Sequence, residues 1–267
     1  MNARPWLAHY DRGVPQTIEY PKAPLFHFLE EAARKYSDHA CTIFNGAVIS
    51  YKEMNALTDH MAAALVELGV KKGDRVGIFM PNTPQFVIAY YGILKAGGVV
   101  VAVNPTYPPD EVLIPVNDAN IEIMFTLTRF YKVLKTVREK SKLKKINVSN
   151  IKETLPPVLR ELFTLVKEKK GGDRLHELDG RDLWMKDLLA KHANSARPKV
   201  EVSPDDTALF QYSGGTTGVP KGAVAMHRNV VANTLQIKSW MTSIEEGKEV
   251  VLMGIPLFHV YGMVAGR

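Results

Sequence analysis

Cysteine is almost absent from these 267 residues: Cys41 is the single thiol. One thiol closes no internal disulfide and is too few for a cysteine-based zinc site. It sits in the apolar run Cys41-Thr42-Ile43-Phe44, where a small buried filler is expected rather than a nucleophile. Long apolar runs are missing too. The longest apolar region, Phe86 to Val103, is interrupted by Lys95 and by Gly97-Gly98, which excludes a spanning helix of ~20 apolar residues. Met1 to Tyr20 carries Arg4, Pro5, His9, Asp11 and Arg12 with no apolar stretch before small residues, so no secretory signal is expected. A reduced, cytoplasmic setting is the simplest expectation.

What is present is an ordinary globular composition, 46% hydrophobic and 23% charged, enough for a well-buried core. The net charge of +6 is local. Between Arg129 and Arg174, Lys and Arg outnumber Asp and Glu by 14 to 5, and the rest of the chain is slightly acidic.

Periodicity predicts a helix over Pro24 to Tyr36. The Asn45-Gly46 pair between two apolar runs predicts a hairpin, since both residues tolerate positive φ. Ser50 with Glu53 forms a capping-box signature. The stripe Met54, Leu57, Met61, Ala64, Leu65 and Leu68 predicts a helix stopped at Gly69. An alternation follows: strand Val76 to Met80, helix Pro84 to Lys95, strand Val99 to Val103, helix Asp110 to Asn117 interrupted by Pro115, strand Ile121 to Leu127. Near-continuous apolar strands between helices indicate an α/β fold, doubly wound, with mainly parallel sheets and flanking helices.

The expected organisation is an arm over residues 1–22, a first α/β portion over 23–128, a basic linker or insertion over 129–204, and the start of a second α/β portion over 205–267. The strands around Val99 and Thr207 need not share a sheet. His227 to Met241 reads as a helix and Glu249 to Gly254 as a strand. Within the basic segment, Val158, Leu159, Leu162, Phe163 and Val166 share a helical face, with Lys167, Lys169 and Lys170 at its end. Two readings stand side by side: a surface helix whose stripe packs on the core, or a basic amphipathic helix over residues 155–170 lying on an anionic membrane. Nucleic-acid binding is not expected, because the segment has few aromatics and no recognition motif.

Residues Ser213 to Gly222 read SGGTTGVPKG. The glycines let backbone N–H groups converge, Ser213, Thr216 and Thr217 add hydroxyls, and Lys221 adds a positive charge. That combination suits a polyphosphate. The expected context is a strand before the loop and a helix soon after it. Pro220 before Lys221 and Gly222 after it exclude a Walker A loop, and the spacing excludes a dinucleotide fingerprint.

The line Gln211-Tyr212-SGGTTGVPKGA, then Met226-His227-Arg228-Asn229, resembles the signature loop of the adenylate-forming (AMP-binding) superfamily. The double glycine after Ser213 particularly resembles long-chain fatty-acid–CoA ligases. Leu94-Lys95-Ala96-Gly97-Gly98-Val99-Val100 to Asn104-Pro105 looks like that family's early core motif, and Pro256-Leu257-Phe258-His259 like its acyl-pocket motif. The resemblance implies an acid–thiol ligase: ATP-dependent conversion of a fatty acid to an acyl-adenylate, then to acyl-CoA. ATP and CoA would be substrates, and Mg2+ would be held by a residue outside this chain. Activation of an aryl or medium-chain acid, or a short form that binds nucleotide or lipid without turnover, stay open.

By resemblance, Ser213, Gly214, Gly215, Thr216, Thr217 and Gly218 would hold the β- and γ-phosphates, and Lys221 would neutralise the leaving pyrophosphate. His259, Tyr261 and Gly262 would line the acyl and adenylate pocket. A plain hydrogen-bonded histidine shaping its loop is the alternative for His259. His227 with Asn229 is expected to cap a helix, and Arg228 to be a solvated charge. No metal site is expected from the residues present. Because family members run considerably longer, the resemblance implies that these residues form an N-terminal portion of such an enzyme.

Overall fold

The computed structural model describes residues 4–213 and 220–265. Helix α1 (His27–Lys35) leads into the hairpin β1 (Ala40–Phe44) and β2 (Ala47–Ser50). Asn45 and Gly46 adopt φ of 49° and 85°, the left-handed pair that a two-residue hairpin turn needs. Ser50 then starts α2 (Tyr51–Glu67). Its hydroxyl accepts from the Glu53 N–H at 3.2 Å, and the Glu53 carboxylate accepts from the Ser50 N–H at 2.8 Å, the reciprocal box read from the sequence.

The alternating elements follow: β3 (Arg75–Phe79), α3 (Pro84–Lys95), β4 (Val99–Ala102), α4 (Pro109–Asp118), β5 (Ile123–Leu127), α5 (Tyr131–Glu139), β6 (Lys145–Ser149). Next come α6 (Pro157–Leu162), continued by a π-turn over Phe163–Lys167, then β7 (Leu183–Trp184), α7 (Met185–Lys191), β8 (Thr207–Ser213), β9 (Lys221–Met226), α8 (His227–Trp240) and α9 (Val260–Ala265). Helix α1 is shorter than the expected Pro24 to Tyr36. Helix α4 runs on through Pro115, which costs it the bond to the Glu111 carbonyl without ending it.

Seven strands form one sheet in the order β7-β6-β5-β3-β4-β8-β9, parallel throughout except for β9. The β4 and β8 strands, which the sequence left free to lie in separate sheets, are direct neighbours. The residues 129–204 contribute β6, β7, α5 and α7 to this same layer system.

One face of the sheet is covered by α2, α3, α7 and α8, through residues such as Met61, Leu94, Leu188 and Val231. The other is covered by α4 and α5, through Val112, Val116, Leu134 and Val137. The chain passes from β3 to β4 on the first face and crosses back past β3 to β5 on the second. The winding therefore reverses beside β3. In open parallel sheets, the crevice at the carboxyl ends of strands flanking such a reversal is where ligands bind.

The expected strand over Glu249 to Gly254 is absent. Val250, Val251 and Leu252 are exposed and form no part of a strand, and no described strand lies alongside to complete a ladder. Apolar content can mark a strand, but only a partner makes one.

Candidate functional site

Strands β3, β4 and β8 run parallel, so their carboxyl ends share one edge. At that edge stand Asn82, Asn104 and Ser213. Asn104 closes a local turn, accepting from the Thr106 N–H at 3.0 Å and its hydroxyl at 2.8 Å.

Ser213 ends β8 and pairs in register with Lys221, which opens β9. The phosphate-loop candidate is thus the connection of an antiparallel hairpin. This corrects the expected strand–loop–helix: β9 intervenes before α8. Gly214, Gly215, Thr216, Thr217 and Gly218 lie outside the described residues.

The hairpin's mouth holds the Ser213 hydroxyl and the Lys221 ammonium, both exposed, and Lys221 forms no ion pair among the described residues. Just inside, Gly222 lets the Tyr212 ring lie across the strand pair, since a Cβ there would stand 2.9 Å from Tyr212 Cζ. The Tyr212 hydroxyl donates to Asp118, and burial with that carboxylate pushes its pKa up. The base of the hairpin is therefore braced while its end offers an unpaired cation and a hydroxyl. These donors fit an anionic, phosphate-bearing group.

The pocket motif is held to the same edge by two amides that sequence reading did not single out for this role. Asn82 Nδ2 donates to the carbonyls of Met253 at 3.0 Å and Ile255 at 2.8 Å, and Asn82 Oδ1 accepts from the Leu257 N–H at 2.6 Å. Gln211 Nε2 donates to the Phe258 carbonyl at 3.2 Å. Gln211 Oε1 is buried without a partner among the described residues. Gln211 stands two residues before Ser213 and Phe258 one residue before His259. This single bond therefore joins the glycine-rich hairpin to the Pro256–His259 motif.

His259 precedes α9, and its Nδ1 accepts from the Tyr261 N–H at 3.4 Å, leaving the ring exposed. Tyr261 is also exposed, whereas Gly262 is buried. A Cβ on Gly262 would lie 2.2 Å from the Pro256 carbonyl oxygen, so only glycine lets the helix fold back against the motif.

The neighbouring polar residues divide. Asn229 Oδ1 accepts from the Met226 N–H at 2.9 Å, which caps α8. His227 does not share that role: it is buried, and its Nδ1 accepts from the Leu25 N–H at 3.1 Å, tying α8 to the start of α1. Arg228 is exposed and pairs with Asp205 at 2.6 Å. Burial pushes the Cys41 thiol up to about 12, which makes it a poor nucleophile. Among the described residues no group of three or more His, Cys, Asp or Glu gathers as a metal site, and no helix is long and apolar enough to cross a membrane.

Comparisons with known proteins agree with this geometry. The family model described as "AMP-binding enzyme" matches residues 29–266. A long-chain-fatty-acid–CoA ligase of Bacillus subtilis is 35% identical over 98% of this chain and 47% of its own length. That of Salmonella typhimurium is 33% identical over 97% of this chain and 46% of its own length. The crystal structure of a long-chain-fatty-acid-CoA ligase from Archaeoglobus fulgidus superposes with a TM-score of 0.74 at 24% identity, covering 96% of this chain and 47% of that one. The chain thus spans about half the length of the curated relatives it matches. With a doubly wound sheet, a glycine-rich hairpin at its carboxyl edge and a family match over most of its length, the chain belongs to the AMP-binding enzyme family.

Proposed function

We propose that this chain supplies the triphosphate side and part of the acyl side of a long-chain fatty-acid–CoA ligase. The observation that carries the reading is the Gln211–Phe258 bond, which ties the phosphate hairpin to the pocket motif. ATP would sit with its β- and γ-phosphates against Ser213 and the residues 214–218, with Lys221 beside the leaving pyrophosphate. The fatty-acid carboxylate attacks the α-phosphate, and charge passes to the pyrophosphate oxygens, where fixed donors lower the barrier. The CoA thiol then attacks the acyl carbonyl of the adenylate, the acyl–phosphate bond breaks, and AMP leaves. Mg2+ would accompany the triphosphate and neutralise part of its charge. His259, Tyr261 and Gly262 line the acyl side, with His259 held by the Tyr261 N–H. The long-chain preference rests on the two curated relatives. The reading places the protein in the cytoplasm, with peripheral membrane contact through residues 155–170.

The test is ATP–pyrophosphate exchange against palmitate, octanoate, cinnamate and acetate, with protease protection of residues 213–221 by ATP measured in parallel. Palmitate-stimulated exchange above the other acids is the expected result. Stimulation by cinnamate or octanoate alone would move the substrate class. ATP that neither exchanges nor shields the hairpin would overturn the reading. Lys221→Ala should slow exchange by roughly a hundredfold, the ~3 kcal/mol that one such donor contributes to a barrier, with little change in acyl binding. An unchanged rate would remove Lys221 from the role.

A further inference from the structure

The helix over residues 157–167 is inside out. Along its length Arg160, Thr164 and Glu168 recur every four residues on one side, Arg160 exposed, Thr164 half-buried and Glu168 buried, and each bonds toward the body of the protein. Arg160 Nη2 donates to the Leu155 carbonyl at 3.3 Å. Thr164 Oγ1 receives Lys152 Nζ at 3.4 Å. Glu168, buried, takes Lys152 Nζ at 2.7 Å and Asn150 Nδ2 at 2.9 Å. The helix is therefore clamped by its polar stripe.

Its apolar side chains point away. Val158, Leu159, Leu162, Leu165 and Val166 are all exposed, Leu165 by 80%. A surface helix ordinarily does the opposite and buries its apolar stripe against the core.

The hairpin β1–β2 extends this surface. Its turn abuts the helix start, with the Gly46 Cβ position 3.8 Å from Pro156 Cγ. Hairpin and helix flank a groove of about 470 Å3 lined by Asn45, Leu155, Leu159, Leu162, Phe163 and Val166. On the hairpin, Ile43 and Val48 are exposed as well. Lys167, Lys169 and Lys170 are exposed at the helix end, with Glu161 the one exposed acid within residues 157–170.

We infer that the helix 157–167 and the β1–β2 hairpin together form a docking surface for an anionic lipid bilayer. The inference rests on the peripheral contact proposed above and assigns it to a two-element surface with reversed polarity. Charge selects this occupant. A bilayer presents anionic headgroups above hydrocarbon, and the surface presents lysines beside outward apolar side chains, in a segment where bases outnumber acids 14 to 5 between Arg129 and Arg174. The polar clamp holds the helix in place while leaving its apolar side chains free to enter the bilayer.

The test is flotation of the 267-residue chain with phosphatidylcholine vesicles and with vesicles that also contain phosphatidylglycerol. The chain should float with the anionic vesicles and not with phosphatidylcholine alone. Replacing Lys167, Lys169 and Lys170 by Gln should weaken binding roughly a hundredfold, at about one kcal/mol per lysine near an anionic surface. Val158→Ser with Leu165→Ser should weaken it by about tenfold or more. Both sets of positions are exposed, so the fold should persist, which circular dichroism checks. Val250→Ser, an exposed apolar change elsewhere, should have no effect.

Binding to anionic vesicles that survives both sets of changes would overturn this surface and leave peripheral contact standing elsewhere. No binding at all would overturn both. Concentration-dependent self-association in sedimentation, abolished by Leu165→Ser, would overturn the lipid in favour of a second copy of the chain. None of these outcomes depends on ATP or a fatty acid, so activation stands or falls separately.

Discussion

Helix α3 and the helix over residues 157–167 are both rich in large apolar residues, and they end in opposite environments. Eleven of the twelve residues of α3 are buried, whereas none of those from Pro157 to Lys167 is. Helix α3 lies between the sheet and α2, and Gly92 permits the approach, since a Cβ there would stand 2.6 Å from Met61 Cγ. Its terminal charge, Lys95, is buried with it and satisfied by Asp59 at 2.6 Å, Thr58 at 2.8 Å and Asn55 at 2.8 Å. In the second helix the polar partners, buried Asn150 and half-buried Lys152, lie beneath the helix and draw its polar stripe inward. Periodicity tells which residues share a face. The groups opposite decide which way that face turns.

The sharpest way to break this comparison is a matched pair of truncations. Leu94→Ala, in the fully buried face of α3, should cost about 2–5 kcal/mol of stability. Leu165→Ala, in the exposed face, should stay within about 0.5 kcal/mol. Urea unfolding of both variants reads the difference, and equal losses would mean that the second helix is packed in solution.

The charged residues provide the next contrast. Asp59→Ala strands the Lys95 ammonium in the core and should cost about 2 kcal/mol. This is less than the ~3–5 kcal/mol for a fully buried pair, because Asp59 keeps 22% of its side chain exposed. Lys95→Met, which removes the buried charge itself, should lie within about 1 kcal/mol of the parent. Thermal melts compare the two, and the ordering is the prediction: Asp59→Ala below Lys95→Met.

Glu168→Ala removes the clamp rather than the core. It should leave global unfolding little changed and raise amide hydrogen exchange across residues 157–170, because the helix has no buried apolar side chains to hold it once Asn150 and Lys152 lose their acceptor. Protection that is unchanged would place the anchoring force elsewhere.

The elements legible in the sequence are those set by local chemistry. The Asn45-Gly46 turn, the Ser50–Glu53 box and the Pro84 to Lys95 helix are written within a few residues, and they stand where the pattern put them. What stayed hidden is non-local. Nothing near Val99 tells that its strand will pair with one more than a hundred residues on. Asn82, just before the Thr83-Pro84 helix start, reads as an ordinary turn residue, yet its partners lie 171 to 175 positions downstream. In the same way, the motif residues could be read as phosphate-binding chemistry, but β9 could not, because Lys221 to Met226 carries three glycine-or-alanine positions, Gly222, Ala223 and Ala225, and no strict alternation. The hairpin exists through its pairing with β8.

Glu153 gives the smallest and most local test of the inward-facing polar groups. It lies in the turn that carries Lys152 and accepts from the Ser149 hydroxyl. Burial raises its carboxyl above the usual glutamate range. The hydrogen bonds from Ser149 and the Asn150 backbone and the charge of Lys186 oppose the rise, and Asp187 adds to it. The folded protein therefore holds this proton at pH values where the unfolded chain has released it. Stability from this group is full below the ordinary glutamate pKa and falls as pH climbs through the raised one. Glu153→Gln cannot ionise, so its stability should lose that descending component while keeping an acceptor for Ser149. Urea midpoints of parent and variant should converge at acid pH and separate in the variant's favour as pH rises past the raised value. Parallel profiles would show that Glu153 is solvated well enough to ionise freely, and the turn beneath the helix would then be wetter than its burial indicates.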